Sequence, residues 1–276
     1  MLQKPLITTS LLFLITLSVQ SFAINKQSSG ARSLGLANAN TTLLGVWSCN
    51  NNQAGLATIK TFSMGASYQN RFGLSELALS NLNLAVPIKF GTLGITVQQF
   101  GFSEYNENKL GLAYGVALSE KVNIGTQVDY YQVSIAEAQT QNKNALAFEI
   151  GMIVKMTEKL SMGIHVFNFT NAKLTGDFEE RLPMTLSIGL KYEFSKKLFS
   201  VLDIEKNIDL PTNLKMGLEY HPVQVLYFRG GLNTYDFHFT GGVGVQLNKF
   251  QLDLAISHQT YLGYVSQIAL SYSIRK

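Results

Sequence analysis

The sequence predicts an all-β chain: a transmembrane antiparallel up-and-down β-barrel of about 14 strands, with a short N-terminal segment plugging the lumen. Three observations carry this. From about position 61 onward, apolar residues alternate with small or polar ones at a period of two, which places them on opposite faces of strands. Charged residues are 14% of the 276-residue chain, well under the ~25% of soluble domains, yet no apolar run beyond the first 23 residues is long enough for a membrane helix. Tight turns and longer polar connections succeed each other along the chain, as they do in outer-membrane barrels.

The elements follow in order. Lys4 precedes a mostly apolar run over 6–19, and Ser21 and Ala23 are the small residues before a cut after Ala23. Residues 1–23 therefore read as a secretory signal peptide and are set aside from the fold. Ile24, not a cysteine, directly follows the cut, so a lipid anchor is not expected there. Residues 24–57 read as a plug or hatch segment and 58–276 as the barrel. Cys49 is the single cysteine; no internal disulfide can form, and a buried small residue is the expectation. The stretch CNNNQAGLA, 49–57, suits neither a helix face nor a strand. Asparagines bond their own backbone in irregular chain, so this stretch is expected to be the hinge that turns plug into wall.

The strands read as rows. Ile268, Leu270, Tyr272 and Ile274 alternate with Gln267, Ala269, Ser271 and Ser273; Met184, Leu186, Ile188, Leu190 and Tyr192 alternate with Thr185, Ser187, Gly189, Lys191 and Glu193. Leu110, Leu112, Tyr114 and Val116 alternate with Gly111, Ala113, Gly115 and Ala117. Tight turns are expected at Lys89-Phe90-Gly91, Ser119-Glu120-Lys121, Thr157-Glu158-Lys159, Ser195-Lys196-Lys197, His221-Pro222 and Asn248-Lys249, and longer loops over 103–108, 135–144, 169–181, 206–211 and 259–263. Short turns face the periplasm, which puts both ends of the barrel there. A soluble β-sandwich also alternates, but such domains run near ~100 residues and no linker interrupts this chain. The face opposite the apolar row is moreover rich in Gly, Ala and Ser, which suits a narrow lumen better than a water-facing surface.

Gly30-Ala31-Arg32 starts a small-residue stretch that leads through Trp47 to Asn52-Gln53-Ala54-Gly55-Leu56. This element resembles the N-terminal motif of the FadL-like (long-chain fatty-acid transporter) outer-membrane superfamily, and is closest to its PorV/PorQ-like branch in Bacteroidota. Leu182-Pro183-Met184 with the strand that follows, the run from Gly163 to Asn168-Phe169, and Phe228-Arg229-Gly230-Gly231 look similar too. Gln53 stands where that motif carries Pro, and is expected to loosen the hinge. The resemblance implies a fourteen-stranded barrel with its N-terminal segment inside, the outer membrane of a Gram-negative cell as location, and transport of hydrophobic small molecules or lipids as function. The nearer branch implies the alternative of a scaffold or shuttle for type IX protein secretion.

Plug and hinge candidates are Arg32, Trp47, Asn52, Gln53 and Gly55. Inward parity predicts a lumen charge network of Asp129, Glu149, Lys191, Glu193, Asp203, Glu205, Lys215, Glu219, Arg229 and Asp253, whose members must pair or meet water because a lone buried charge is costly. Arg32 is expected to pair with one of these carboxylates. The histidines His165, His221, His238 and His258 lack the third orienting partner of a hydrolase site, so an outer-membrane lipid hydrolase is a minor alternative and no enzyme is expected. No HExxH, CxxC or His/Cys cluster is present, so no metal or cofactor is expected. A net charge of +4 with scattered basic residues excludes a nucleic-acid footprint. The expected partners are outer-membrane lipids, a hydrophobic ligand and, on the alternative, secretion-system proteins.

Overall fold

The computed structural model describes residues 26–136, 142–175, 180–235, 237–260 and 262–274; the expected signal peptide lies outside them. Fourteen antiparallel strands close into one barrel, each paired with its neighbour in sequence and the last with the first. They are β1 (Ser63–Arg71), β2 (Leu74–Ile88), β3 (Gly91–Gly101), β4 (Tyr105–Ala117), β5 (Val122–Ile135), β6 (Lys143–Lys155), β7 (Leu160–Phe167), β8 (Thr185–Ser195), β9 (Leu198–Asn207), β10 (Asn213–Val223), β11 (Leu226–Asn233), β12 (His238–Leu247), β13 (Phe250–Gln259) and β14 (Gly263–Ser273). The seam runs from Ser63 opposite Ser273 to Arg71 opposite Val265. Closure leaves no strand edge unpaired, which a chain in lipid requires.

The period-two pattern becomes an outside and an inside. Leu110, Leu112, Leu146, Phe148, Ile150, Leu254, Ile256, Ile268 and Leu270 are exposed, while their neighbours in sequence turn inward and are buried. Tyr68, Tyr130, Tyr192, Phe194 and Tyr220 stand on the outer face, as interface aromatics do.

Two connections depart from expectation. The loop expected over 103–108 is instead a three-residue turn at 102–104 followed by strand, since β4 already begins at Tyr105 and Phe102 N donates to Tyr105 O (2.8 Å). The turn between β10 and β11 lies at Gln224-Val225, beyond His221-Pro222, which is still strand. A two-residue hairpin at Phe72-Gly73, with φ of +60° and +74°, joins β1 to β2. Two consecutive left-handed residues are what a hairpin matching strand twist needs, and Gly73 supplies one at no steric cost. The longest connection, between β7 and β8, folds back on itself. Lys173 bridges Arg181, and Leu182 N donates to Ala172 O (3.0 Å).

Residues 26–62 run inside the barrel as two short helices, α1 (Ala31–Gly35) and α2 (Ser48–Asn51), and a 3-10 turn at Gln53–Thr58. The asparagine-rich stretch is thus helical. Asn52 caps the 3-10 turn by accepting from Ala54 N (3.2 Å), a role that suits a short polar side chain. The wall makes room for this segment strand by strand. A Cβ at Gly65 would touch Trp47 (3.0 Å), at Gly94 Leu56 (2.9 Å), at Gly115 the Gln53 carbonyl oxygen (2.6 Å), at Gly163 the Thr41 carbonyl oxygen (2.6 Å), at Gly217 Leu36 (2.8 Å) and at Gly231 Ala37 N (2.6 Å). Gly125 and Gly151 face Gln53 and Asn52 as closely. Where glycine is absent, alanine serves: Ala85 of β2, Ala255 of β13 and Ala269 of β14 pack on Ala31, Leu34 and Trp47.

Candidate functional site

Among the described residues the lumen holds two larger sets of buried charges, one on each side of the plug, and a smaller group of Asp203, Glu205 and Lys215. On the β4–β7 side, inward parity delivers Lys109, Asp129, Glu149 and His165, all 5% exposed or less. The Lys109 ammonium bonds Glu149 Oε1 (2.8 Å), Asp129 Oδ1 (3.2 Å) and, from the plug, Asn50 Oδ1 (3.1 Å). Glu149 Oε2 meets His165 Nε2 (2.8 Å) and accepts from Gln53 Nε2 (2.8 Å). Gln127 Nε2 donates to Asp129 Oδ1 (2.6 Å). Gln53 is fully buried and donates also to Gln127 (3.3 Å). It ties the plug to the wall, and the expectation that it loosens a hinge is overturned.

On the opposite side a chain of alternating charge runs from plug to wall. Arg32 grips Glu219 through Nε (2.8 Å) and Nη2 (2.9 Å), Glu219 also accepts from Arg229 Nε (2.7 Å), and Arg229 Nη1 reaches Asp253 Oδ1 (2.7 Å). Burial works against the Arg32 charge, but the Glu219 carboxylate outweighs it, so the guanidinium is held above its ordinary value. Asp203 accepts from Thr41 N (2.9 Å) and Thr41 Oγ1 (2.7 Å), and Lys215 pairs with Glu205 (2.6 Å).

Lys191 and Glu193 do not join these sets. They bond each other at 2.7 Å toward the turn end of β8, where Glu193 is 47% exposed and the Lys191 ammonium lies 4.5 Å from the centroid of the Phe199 ring that Arg32 also approaches. Of the hinge candidates, Trp47 lies against Gly30 and Gly65, Asn52 Nδ2 donates to Thr41 O (2.7 Å), and Gly55 sits against Ser48. Sequence reasoning missed Lys109 and His165. Lys109 shares parity with the inward Gly111 and Ala113, and His165 with the inward Phe167, so the alternation itself could have found them. Cys49 is buried in the plug and its thiol is pushed up to about 12 by burial.

Toward the loop end, the charged set on β4–β7 is covered by an inward-facing apolar layer. Tyr131 and Val133 of β5, Ala145 and Ala147 of β6 and Phe167 of β7 form it, and Leu174 and Leu182 of the β7–β8 connection close it. Tyr131 and Phe167 meet edge to face with centroids 6.2 Å apart, and the Lys109 ammonium lies 5.6 and 5.7 Å from their centroids, within cation–π range. Asn168, left-handed at φ +52°, holds the connection closed: its Nδ2 donates to Leu182 O (2.6 Å) and its Oδ1 accepts from Ala172 N (3.0 Å).

No protein-family model and no curated protein matches this sequence. Solved structures do match its fold. The CymD monoaromatic hydrocarbon channel superposes with a TM-score of 0.68 at 14% identity, covering 92% of this chain and 100% of that one. The Pseudomonas putida toluene transporter TodX gives 0.69 at 13%, covering 91% and 99%. A Pseudomonas aeruginosa FadL homologue gives 0.66 at 11%, covering 92% and 100%. At these identities the likeness is one of fold.

Proposed function

We propose that this barrel resides in the outer membrane of a Gram-negative cell and passes hydrophobic small molecules inward from its loop end. The observation that carries the reading is the apolar layer of Tyr131, Phe167, Leu174 and Leu182 at the loop end of a lumen that is polar beneath it. Buried apolar groups over a charged floor form a receiving site for an apolar guest, with few polar groups to orient it. The fold neighbours support the same class of cargo, since two of them are described as a monoaromatic hydrocarbon channel and a toluene transporter. Sealed as it is by Asn168 and the plug, the lumen takes its guest by displacement and not through a standing pore. The N-terminal segment 24–57 acts as the plug, and Arg32, Asn52 and Gln53 hold it.

Proteoliposomes test this. Those carrying the barrel are expected to take up toluene faster than empty vesicles, and uptake at the rate of empty vesicles overturns the reading. Affinity purification from native membranes discriminates the alternative: secretion components in place of uptake would move the assignment to a type IX scaffold.

A further inference from the structure

The two ends of the barrel carry opposite charge. Counted along the sequence between the strand bounds, the six tight turns hold six lysines against Glu120 and Glu158. The seven connections at the other end hold seven acidic residues against Lys173 and Arg181. Charges at the strand ends do not undo the contrast: Arg71, Lys143 and Lys206 stand with Glu76 and Glu107 at the loop end, and Lys155 and Lys191 with Glu193 at the turn end.

The turn lysines are spread around the rim. Lys89 lies between β2 and β3, Lys121 between β4 and β5, Lys159 between β6 and β7, Lys196 and Lys197 between β8 and β9, and Lys249 between β12 and β13; all are exposed. Lys60, where the chain enters β1, stands exposed at the same end. The one turn without a lysine, Gln224-Val225, is approached from the side, since Lys197 Nζ donates to Pro222 O of β10 (2.8 Å). Glu158 is taken by Lys155 (2.7 Å) and Glu193 by Lys191 (2.7 Å), which leaves the turn lysines in excess.

An exposed apolar side chain stands beside each of these turns. Phe90 follows Lys89 and is 71% exposed, with the ammonium 5.1 Å from its ring centroid. Leu118, Met156, Phe194 and Leu247 are exposed close in sequence to Lys121, Lys159, Lys196 and Lys249. An apolar side chain at a turn gains nothing in water, but it is covered at the boundary of headgroups and acyl chains, where the lysine beside it extends to the phosphates. A soluble partner would be met by a patch on one side. Pairs of this kind set around a circle fit the plane of a leaflet.

We infer that the turn end is a collar that binds the anionic headgroups of glycerophospholipids in the leaflet it meets. This rests on residence in an outer membrane with the tight turns toward the periplasm, and on no property of the cargo. Ammonium and phosphodiester form charge-assisted hydrogen bonds, and each lysine near an anionic surface is worth about fivefold in affinity.

The test is lipid retention by the full barrel in a non-ionic detergent, read by native mass spectrometry with phosphatidylglycerol and phosphatidylcholine titrated at equal concentration. Phosphatidylglycerol is expected to be retained in preference by about fivefold or more, and the preference is expected to shrink as ionic strength rises. Replacing Lys121, Lys159, Lys196 and Lys249 together by Gln is expected to abolish it, and replacing the same four by Arg to keep it, both in barrels that still run as a compact band unheated. If the Gln variant forms no such band, the salt dependence of the wild type and the Arg variant decides. Equal retention of the two lipids, or a preference unchanged by salt or by the Gln replacements, overturns the collar. Cross-links from the turn lysines to an acidic protein in native membranes, with equal retention of the two lipids, overturn it too and place a protein at that end. Failure of toluene uptake alone leaves the collar standing, whereas a chain that stays out of vesicles altogether removes the membrane residence on which both readings depend.

Discussion

The Lys109 set and the Arg32 chain share one lumen and grip the same plug, yet they differ in charge count. Arg32 and Arg229 alternate with Glu219 and Asp253, two cations with two anions in a single hydrogen-bonded line. Lys109 faces Asp129 and Glu149 with a histidine beside them. Both sets lie beside aromatic rings, Arg32 near Phe199 and Arg229 near Tyr227 in the line, Lys109 near Tyr131 and Phe167 in the other. The Lys109 set lies in addition under the apolar layer that Leu174 and Leu182 close. A balanced set in a closed setting serves to fasten.

The comparison can be broken from either side. The largest effect is expected from Arg229→Met, which leaves the buried Asp253 without its cation and Glu219 with Arg32 alone; removing one partner of a buried ion set costs about 3–5 kcal/mol, read as a lower urea midpoint for loss of the compact barrel band on unheated gels. Glu149→Gln should cost less, about 1–3 kcal/mol, because Asp129 still neutralises Lys109. If Glu149→Gln proves the more damaging, the two sides do not differ in kind. Arg32→Ala leaves Glu219 its bonds to Arg229, so about 1–2 kcal/mol is expected, accompanied by faster proteolysis of the plug. Cys49 reports plug release directly: with its thiol pushed up to about 12, almost no thiolate exists at pH 8 and labelling by a maleimide should be negligible in the folded barrel. Labelling should rise in Arg32→Ala, and wild-type labelling at the rate of a free thiol would contradict the buried plug. The smallest effect belongs to Lys155→Ala, which removes an exposed pair with Glu158 in the β6–β7 turn; such pairs contribute little, and no measurable change in the urea midpoint is expected.

The barrel was legible in the sequence because a period of two is a local property that survives any partner assignment. Inward charge was legible by the same parity, and Asp129, Glu149, Glu219, Arg229 and Asp253 lie buried where it put them. Which charges meet was not legible, since that depends on strand tilt and register: Gln127, not Asp129, stands opposite Glu149, yet Lys109 from the next strand bridges both carboxylates. Lys191 shows the converse limit, because parity gives the face but not the height along the strand. The 103–108 segment reads as loop on its polar residues, but Glu107 is polar because it faces the lumen. Gln53 was read against a proline expected from resemblance, and its amide bond to Glu149 requires a partner 96 positions away.

The row of inward glycines and alanines has a consequence for assembly. Arg32 meets Glu219 across 187 positions and Thr240 reaches Gly35 across 205, so the first folded residues of the chain find their seats only when nearly the last have arrived. Contacts of such sequence separation form slowly. A wall notched to the outline of α1 and the 3-10 turn cannot shrink around an empty centre without leaving voids. The N-terminal segment is therefore the former to which the wall is cut, and the glycines mark its outline.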